Sequence, residues 1–144
     1  MSLDGAYDDG NVFAKLIRGE IPSAKIYEDA EVLAFMDAFP QSPGHCLVIS
    51  KTSRARNLLE IDPDVLCTVM RTVQRVAVAV RSALQPDGVT ITQFNGAAAN
   101  QTVFHLHVHV IPRCEGRALG GHGGGMADPA ELRETAARIA AALA

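Results

Sequence analysis

Apolar residues recur along the chain with two different spacings. After Asp62-Pro63, a capping residue followed by proline at the first helical position, they recur at steps of three and four as far as Gln85. This spacing predicts one long amphipathic helix with a single buried stripe. The stripe consists of Leu66, Val69, Met70, Val73, Val76, Ala77 and Val80.

Two shorter helices are predicted near the ends of the chain. Asn11 is placed to cap a first helix, and Gly19 stands where a C-terminal glycine is favoured. Asp128 is followed by proline and begins a last, alanine-rich helix. The faces expected to be buried are Val12, Phe13, Leu16 and Ile17 in the first helix, and Leu132, Ala136, Ile139 and Ala142 in the last.

Five short runs have the β-branched and alternating composition of strands. They are AKIYE, VLAFMDAF, HCLVIS, GVTITQFN and VFHLHVHVI, and the first two predict an antiparallel hairpin. The order of elements predicts an α+β fold: a five-stranded antiparallel sheet with a short N-terminal helix, a long central helix and a C-terminal helix. A length of 144 residues fits a single domain.

Composition excludes several classes of function. The formal net charge is −3, from 13 Lys and Arg against 16 Asp and Glu, so no overall positive field attracts nucleic acid. The N-terminal stretch is acidic and has no apolar core, and no run approaches the roughly 18 apolar residues of a membrane span. Three separated cysteines form no C-x-x-C pair. We therefore expect a cytoplasmic protein without nucleic-acid or membrane partners.

The stretch HLHVHVIP carries three of the five histidines at alternate positions. In a strand, His105, His107 and His109 would share one face, and Leu106 and Val108 would face the core. A purely structural role seldom needs three imidazoles in register. Metal binding is an alternative, but at about 3.3 Å per residue the outer two begin about 13 Å apart, so one ion would need other ligands.

Phosphorus chemistry is the interpretation that this pattern favours. Because the ordinary pKa of histidine is near 6.5, one imidazole can be a neutral nucleophile while its neighbours donate protons. The middle residue, His107, is the expected nucleophile. Small polar residues precede it, with Asn100, Gln101 and Thr102 in the turn and Asn95 at the end of the preceding strand. They suit a phosphate cradle, although a hydrophilic turn has the same composition.

The stretch NQTVFHLHVHVIPR resembles the signature of the histidine triad (HIT) family of nucleotide-binding hydrolases and transferases. The resemblance includes PGHCLVISK and covers about residues 11–114, which we expect to form the HIT domain, with the glycine-rich loop and helix of 115–144 extending it. By this resemblance His107 forms a nucleotidyl-histidine intermediate, which water hydrolyses to release a nucleoside monophosphate. His105 and His109 flank it, and His45 matches a fourth family histidine.

The resemblance also implies the residues that contact the nucleotide. Thr102 falls where a hydroxyl helps the leaving group to depart, and Asn95 and Gln101 match phosphate-side contacts. Asp37 matches a carboxylate that holds the ribose hydroxyls. Phe13 and Leu16 match an apolar wall against the base.

Two departures from the family pattern alter these expectations. Many bacterial relatives bind a structural zinc ion, but Asn11, Ala14 and Ser53 stand at three of its four ligand positions, so we predict no metal and no other cofactor. Asn100 stands where the family usually has glycine. Since asparagine tolerates positive φ better than most residues, the turn can keep its shape.

The implied activity is cleavage of a nucleoside 5′-phosphoramidate, acyl phosphate or phosphoanhydride by a homodimer. Its partner would be a purine nucleotide or nucleotide conjugate. Two alternatives remain open: a dinucleoside polyphosphate hydrolase, and a non-catalytic purine-nucleotide-binding adaptor. His122, in the glycine-rich loop, is interpreted as a solvent-exposed residue.

Overall fold

One antiparallel sheet organises the molecule. A computed structural model describes residues 2–120 and 125–144, and the strands lie in the order β1-β2-β3-β5-β4. The elements are α1 Val12–Ile17, β1 Lys25–Glu28, β2 Val32–Met36, β3 Cys46–Ser50, α2 Pro63–Leu84, β4 Gly88–Thr92, β5 His107–Arg113 and α3 Pro129–Ala141, with a 3₁₀ turn at Ala97–Ala99. The predicted α+β fold with three helices is confirmed.

Capping residues set the helix boundaries as the sequence predicts. The Asn11 side chain accepts a hydrogen bond from the Ala14 N–H at 2.9 Å, and Gly19 follows α1 with a φ of +77°. Asp62 and Asp128 cap α2 and α3 through their carboxylates. Because these caps satisfy N–H groups that have no partner inside the helix, they fix where each helix begins.

The sheet is covered on both faces. On one face α2 and α3 pack over a core that includes Val48, Val108 and Val110. On the other face α1 lies over Leu33, Phe35, Leu47 and Ile49, next to His107 and His109. Strands buried on both faces need apolar residues at every position, which explains the unbroken run of β2.

Several predicted boundaries and burials are wrong. Strand β5 begins at His107 instead of Val103, since the Leu106 N–H bonds to the Ala55 carbonyl and ladder pairing starts only at His107, opposite Ile49. Strand β2 ends at Met36, before the turn that contains Asp37. On α2, Met70 is 40% exposed, and Thr72 and Ala79 are buried.

No helix within the described part of the chain combines the length and the apolar character needed to cross a bilayer.

Candidate active site

A cavity of about 760 Å³ opens beside the histidine-bearing face of the sheet. Six of the ten predicted site residues line it, namely Phe13, Leu16, Asp37, Thr102, His107 and His109. The other four, His45, Asn95, Gln101 and His105, do not line the cavity. Three of them hydrogen bond to residues that do: His45 to His109, Gln101 to Val103 and His105 to His107. We call His107, His109, Asp37 and Thr102 the histidine wall, and Val12, Phe13, Leu16, Phe35, Met126 and Leu132 the apolar wall.

Hydrogen bonding fixes which ring nitrogen of His107 carries the proton. Its Nδ1 lies 2.8 Å from the His105 carbonyl oxygen, which can only accept, so Nδ1–H donates. The neutral ring therefore holds its lone pair on Nε2. His107 is buried, with the Phe13 ring 4.9 Å and the His109 ring 5.0 Å from it, centroid to centroid. This tautomer is the one that can act as a nucleophile through Nε2.

His45 fixes the tautomer of His109 in the same way. The Gln41 N–H donates to His45 Nδ1 at 3.0 Å, so the proton of the neutral His45 ring is on Nε2. His45 Nε2 lies 2.9 Å from His109 Nδ1, which accepts, and His109 therefore carries its proton on Nε2. The hydrogen bonds therefore run in one direction: the Gln41 backbone amide donates to His45, and His45 donates to His109.

His105 is held as a neutral ring. Its Nε2–H donates to the Ser50 carbonyl at 3.0 Å, and its Nδ1 accepts from the Tyr7 hydroxyl at 2.6 Å. The pKa of His105 is lowered to about 4, mainly by burial; the hydrogen bond to the Ser50 carbonyl opposes this shift, and the neighbouring His107 adds to it. This residue therefore stays neutral near pH 7.

Gln101 braces the turn before β5 from the inside. Its Oε1 accepts from the Gly96 N–H at 2.7 Å, and its Nε2 donates to the carbonyls of Arg56 and Val103 at 2.7 and 3.0 Å. The side chain is buried, and its amide is used within the protein. The geometry therefore favours an indirect effect of Gln101 on a phosphate, through the shape of the turn.

Asn100 adopts the left-handed conformation, with φ of +75° and ψ of +17°. The tolerance of asparagine for this region accounts for the intact turn at a position where glycine is usual in the family. Asn95 also supports the turn, since its Oδ1 accepts from the Leu58 N–H at 2.9 Å and from Gln93 Nε2 at 2.8 Å.

Asp37 lies where β2 ends and the histidine wall begins. One carboxylate oxygen accepts from the Phe39 N–H at 2.8 Å, and the other lies 3.4 Å from His45 Nε2. Thr102 is exposed beside the same cavity. Both residues can therefore present oxygen atoms to a bound molecule.

Neither the zinc positions known from bacterial relatives nor the group of Asp37, His45 and His109 suits a metal ion. At the zinc positions of bacterial relatives, the Asn11 side chain caps α1, Ala14 has no ligand atom, and both His105 nitrogens are already hydrogen bonded. Asp37, His45 and His109 have potential ligand atoms within 4.8 Å of one another. However, a histidine that binds a metal normally donates through its other nitrogen, whereas His45 Nδ1 accepts.

Sequence patterns gave no indication of several cavity residues. Met126, Ala127, Leu132 and Arg133 come from the C-terminal segment, where the Ala127 N–H bonds to the Ala38 carbonyl at 2.9 Å. Met126, Ala127 and Leu132 are apolar and would serve equally well in a core, Arg133 has the sequence context of an ordinary surface charge, and only the tertiary structure places the four at the cavity. His122 lies outside the described residues.

Comparison with known proteins identifies the family. The HIT domain profile matches residues 18–116. Adenylylsulfatase HINT3 of Arabidopsis thaliana is 41% identical over 104 residues, which are 72% of this chain and 52% of that protein.

Solved structures agree with this match. A Hit-like protein from Bartonella henselae, described as involved in cell-cycle regulation and crystallised with an unknown ligand, has a TM-score of 0.89 and 53% identity, over 96% of this chain and 100% of that one. A hypothetical histidine triad nucleotide-binding protein from Sulfolobus tokodaii has a TM-score of 0.82 and 30% identity, over 90% of this chain and 89% of that one. The chain belongs to the HIT family of nucleotide-binding proteins.

Proposed function

We propose that this protein hydrolyses a bond between a nucleoside 5′-phosphate and its leaving group through a nucleotidyl-His107 intermediate. The leaving group is an amine, an acyl group or a second phosphate. The observation that carries the proposal is the fixed tautomer of His107, whose Nδ1–H bonds to the His105 carbonyl at 2.8 Å while its ring lines the cavity. Such a ring presents an unprotonated Nε2 to a phosphorus atom.

In the first step His107 Nε2 attacks phosphorus, and the bond from phosphorus to the leaving group breaks. The leaving group departs with the electron pair of that bond and takes a proton from a solvent water molecule, while His109 Nε2–H donates a hydrogen bond to the departing atom. His45 strengthens that hydrogen bond by donating to His109 Nδ1. Thr102 lies at the same wall and can donate to the departing atom.

In the second step a water molecule attacks the same phosphorus and the bond to His107 Nε2 breaks. That water releases one proton to solvent, which replaces the proton taken up by the leaving group, so the nucleoside monophosphate leaves and both rings keep their initial tautomers. In both steps the turn braced by Gln101 would keep Thr102 in position beside the phosphate. Asn95 would act on the phosphate side by holding that turn.

The rest of the cavity suits the nucleoside. Phe13 and Leu16 provide flat apolar surface for a purine, and Asp37 can accept hydrogen bonds from ribose hydroxyls through the oxygen not bound to Phe39. The activity of HINT3 places adenosine 5′-phosphosulfate among the substrates to be tested.

A substrate panel tests the proposal. Wild-type protein and His107→Asn are incubated with adenosine 5′-phosphoramidate, adenosine 5′-phosphosulfate and diadenosine polyphosphates. We expect the wild type to release adenosine monophosphate from at least one compound and the variant to release none. If the wild type binds adenosine monophosphate tightly but hydrolyses no compound, the nucleotide-binding adaptor is correct.

We further propose a cytoplasmic homodimer in which residues 115–144 belong to the same domain as the HIT motif. Exposed apolar side chains on α2 and on the edge strand β4 support the dimer, namely Met70, Val78 and Ile91. Sedimentation equilibrium is expected to give a mass twice that of one chain. A measured mass equal to that of one chain at every protein concentration would refute the dimer.

A further inference from the structure

An N-terminal arm, residues 2–9, packs against the turn before β5 and contacts His105. The arm has no regular secondary structure and lies outside the segment that matches the HIT profile. Its first residues contact the turn before β5, because the Ala97 N–H donates to Ser2 Oγ at 2.9 Å and Asn57 Nδ2 donates to the Leu3 carbonyl at 3.0 Å. A β-carbon at Gly96 would lie 3.2 Å from the Leu3 side chain, so the arm is packed closely against this turn.

Tyr7 is the residue of the arm that reaches the triad. Its hydroxyl lies 2.6 Å from His105 Nδ1, and the two rings meet edge to face at 5.7 Å. Since His105 Nε2–H donates to the Ser50 carbonyl, Nδ1 is unprotonated and the tyrosine hydroxyl must be the donor. Tyr7 therefore completes the hydrogen bonding of His105.

The contact continues to the proposed nucleophile. The carbonyl of His105 accepts the Nδ1–H of His107 at 2.8 Å, and this bond selects the tautomer of His107. His105 also precedes β5, so ladder hydrogen bonds do not fix its backbone. The Leu106 N–H, which belongs to the same peptide unit as this carbonyl, bonds to the Ala55 carbonyl at 3.0 Å. The His105 ring, held between Tyr7 and Ser50, is the second restraint on the position of the His105 carbonyl.

Charged residues hold Tyr7 in place. The Arg54 guanidinium lies over the Tyr7 ring, 4.7 Å from its centroid, and also bonds to the Asp9 carboxylate. Arg18 Nη1 donates to the Asp9 carbonyl at 2.8 Å. These contacts tie the Tyr7 ring and the chain after it to the folded domain, and those of Ser2 and Leu3 tie the chain before it.

From these contacts we propose that Tyr7 is a positioning residue for catalysis, which orients His105 so that its carbonyl holds His107 in the Nδ1–H tautomer. The proposal rests on His107 being the nucleophile of the proposed function. Tyr7 itself does not contact the substrate. The competing explanation is that the arm only adds stability.

The test compares Tyr7→Phe with a matched control, Tyr27→Phe. Tyr27 is the second of two tyrosines, and an arginine, Arg75, also lies 4.7 Å from its ring centroid. Its hydroxyl donates to the exposed Asp29 carboxylate, away from the cavity. Both substitutions remove one hydroxyl and keep the ring, so the comparison isolates the bond to His105.

Two readouts are specific to positioning. We expect Tyr7→Phe to lower kcat roughly ten-fold, the loss that corresponds to one well-placed hydrogen bond, while KM changes less than about two-fold. We also expect the ¹⁵N signals of the His107 ring to move from those of a fixed Nδ1–H tautomer towards an average of both tautomers. Tyr27→Phe should leave kcat and these signals unchanged.

A second variant, Arg54→Gln, loosens Tyr7 without altering any contact of His105. We expect kcat to fall about three-fold and the ¹⁵N signals of the His107 ring to move in the same direction as in Tyr7→Phe, but less far. If Tyr7→Phe lowers only the melting temperature and leaves kcat and the His107 signals unchanged, the arm is merely stabilising and the proposal is wrong.

The ring spectra separate this proposal from the proposed function. If the wild type hydrolyses no nucleotide, the proposed function fails, while the tautomer signals still decide whether Tyr7 orients His107. A wild-type spectrum without a fixed Nδ1–H tautomer would overturn the positioning proposal whatever the turnover.

Discussion

The two walls of the cavity are built in opposite ways. Around the histidine wall, hydrogen bonds of 2.6 to 3.0 Å fix the imidazoles of His45, His105 and His107 in single tautomers. The apolar wall consists of side chains such as Leu16, Phe35 and Met126, which make contact without directional bonds. Changes to the histidine wall should therefore affect kcat, and changes to the apolar wall should affect KM.

Replacement of the proposed nucleophile should produce the largest effect. An asparagine at position 107 can still donate to the His105 carbonyl but has no nucleophilic nitrogen, so we expect His107→Asn to lower kcat by a factor on the order of 10⁴ or more. Calorimetric titration with adenosine monophosphate should give a Kd within a few-fold of the wild type. A variant that kept even one-tenth of wild-type turnover would contradict the assignment of His107.

Removal of the Gln101 side chain should destabilise the turn beside the histidine wall. Gln101→Ala deprives three backbone groups of their partners, which at about 1 kcal/mol each predicts a loss of about 3 kcal/mol in the free energy of unfolding. Urea denaturation measures this loss. The control is Gln74→Ala on the exposed face of α2, expected to change stability by less than about 0.5 kcal/mol. Equal losses in the two variants would show that Gln101 has no special structural role.

The neutral state of His105 predicts a dependence of stability on pH. In the unfolded chain this histidine is protonated below its ordinary pKa of 6.5, but in the folded protein only below about 4. The unfolded state thus binds more protons in this window, and the free energy of unfolding decreases as the pH falls from 6.5 to about 4. The decrease due to His105 is roughly 3 kcal/mol.

His105→Gln isolates this contribution, because glutamine can also donate to Ser50 and accept from Tyr7. Denaturation of both proteins at several pH values should give a difference that shrinks towards pH 4, as the wild type loses stability that the variant does not. Parallel curves would contradict the burial of a neutral His105.

The smallest effect is expected at the apolar wall. Met126 is 68% exposed and lines the cavity, so Met126→Ala should remove part of the apolar contact with a nucleoside. We expect KM to rise about five-fold, which corresponds to roughly 1 kcal/mol, with kcat unchanged. Leu59→Ala provides the control, since Leu59 is 70% exposed and lies away from the cavity. A fall in kcat for Met126→Ala would mean that the apolar wall also affects the chemical step, and that the effects of the two walls on kcat and KM cannot be separated.

Periodicity and capping predicted much of the fold from sequence. The boundaries of α2 and α3 follow from Asp62 and Asp128, which satisfy N–H groups within their own helices. The start of β5 could not be predicted in this way. Alternation continues through His105, but the Leu106 N–H bonds to the carbonyl of Ala55, which is far away in the sequence, and ladder pairing starts only at His107.

The sequence predicts only part of the candidate site, because local spacing places the histidines but does not reveal contacts between distant segments. The spacing HLHVHV brings His107 and His109 to one face of a strand, as the structure has them. The indirect placement of Gln101 and the contribution of Tyr7 depend on contacts between distant segments. Residues of the apolar wall such as Met126 carry no chemical signal, because an apolar side chain serves a core and a cavity equally well.

Trapping the covalent intermediate is the sharpest test of His107 as the nucleophile. Wild-type protein mixed with a substrate that it turns over, then denatured within milliseconds and digested, is analysed by mass spectrometry under conditions that preserve phosphorus–nitrogen bonds. The proposed mechanism predicts a peptide that is heavier by one nucleotidyl group. The group should be on His107, and its yield should rise and decay at rates consistent with turnover. Turnover without that adduct, or an adduct on another residue, would contradict it.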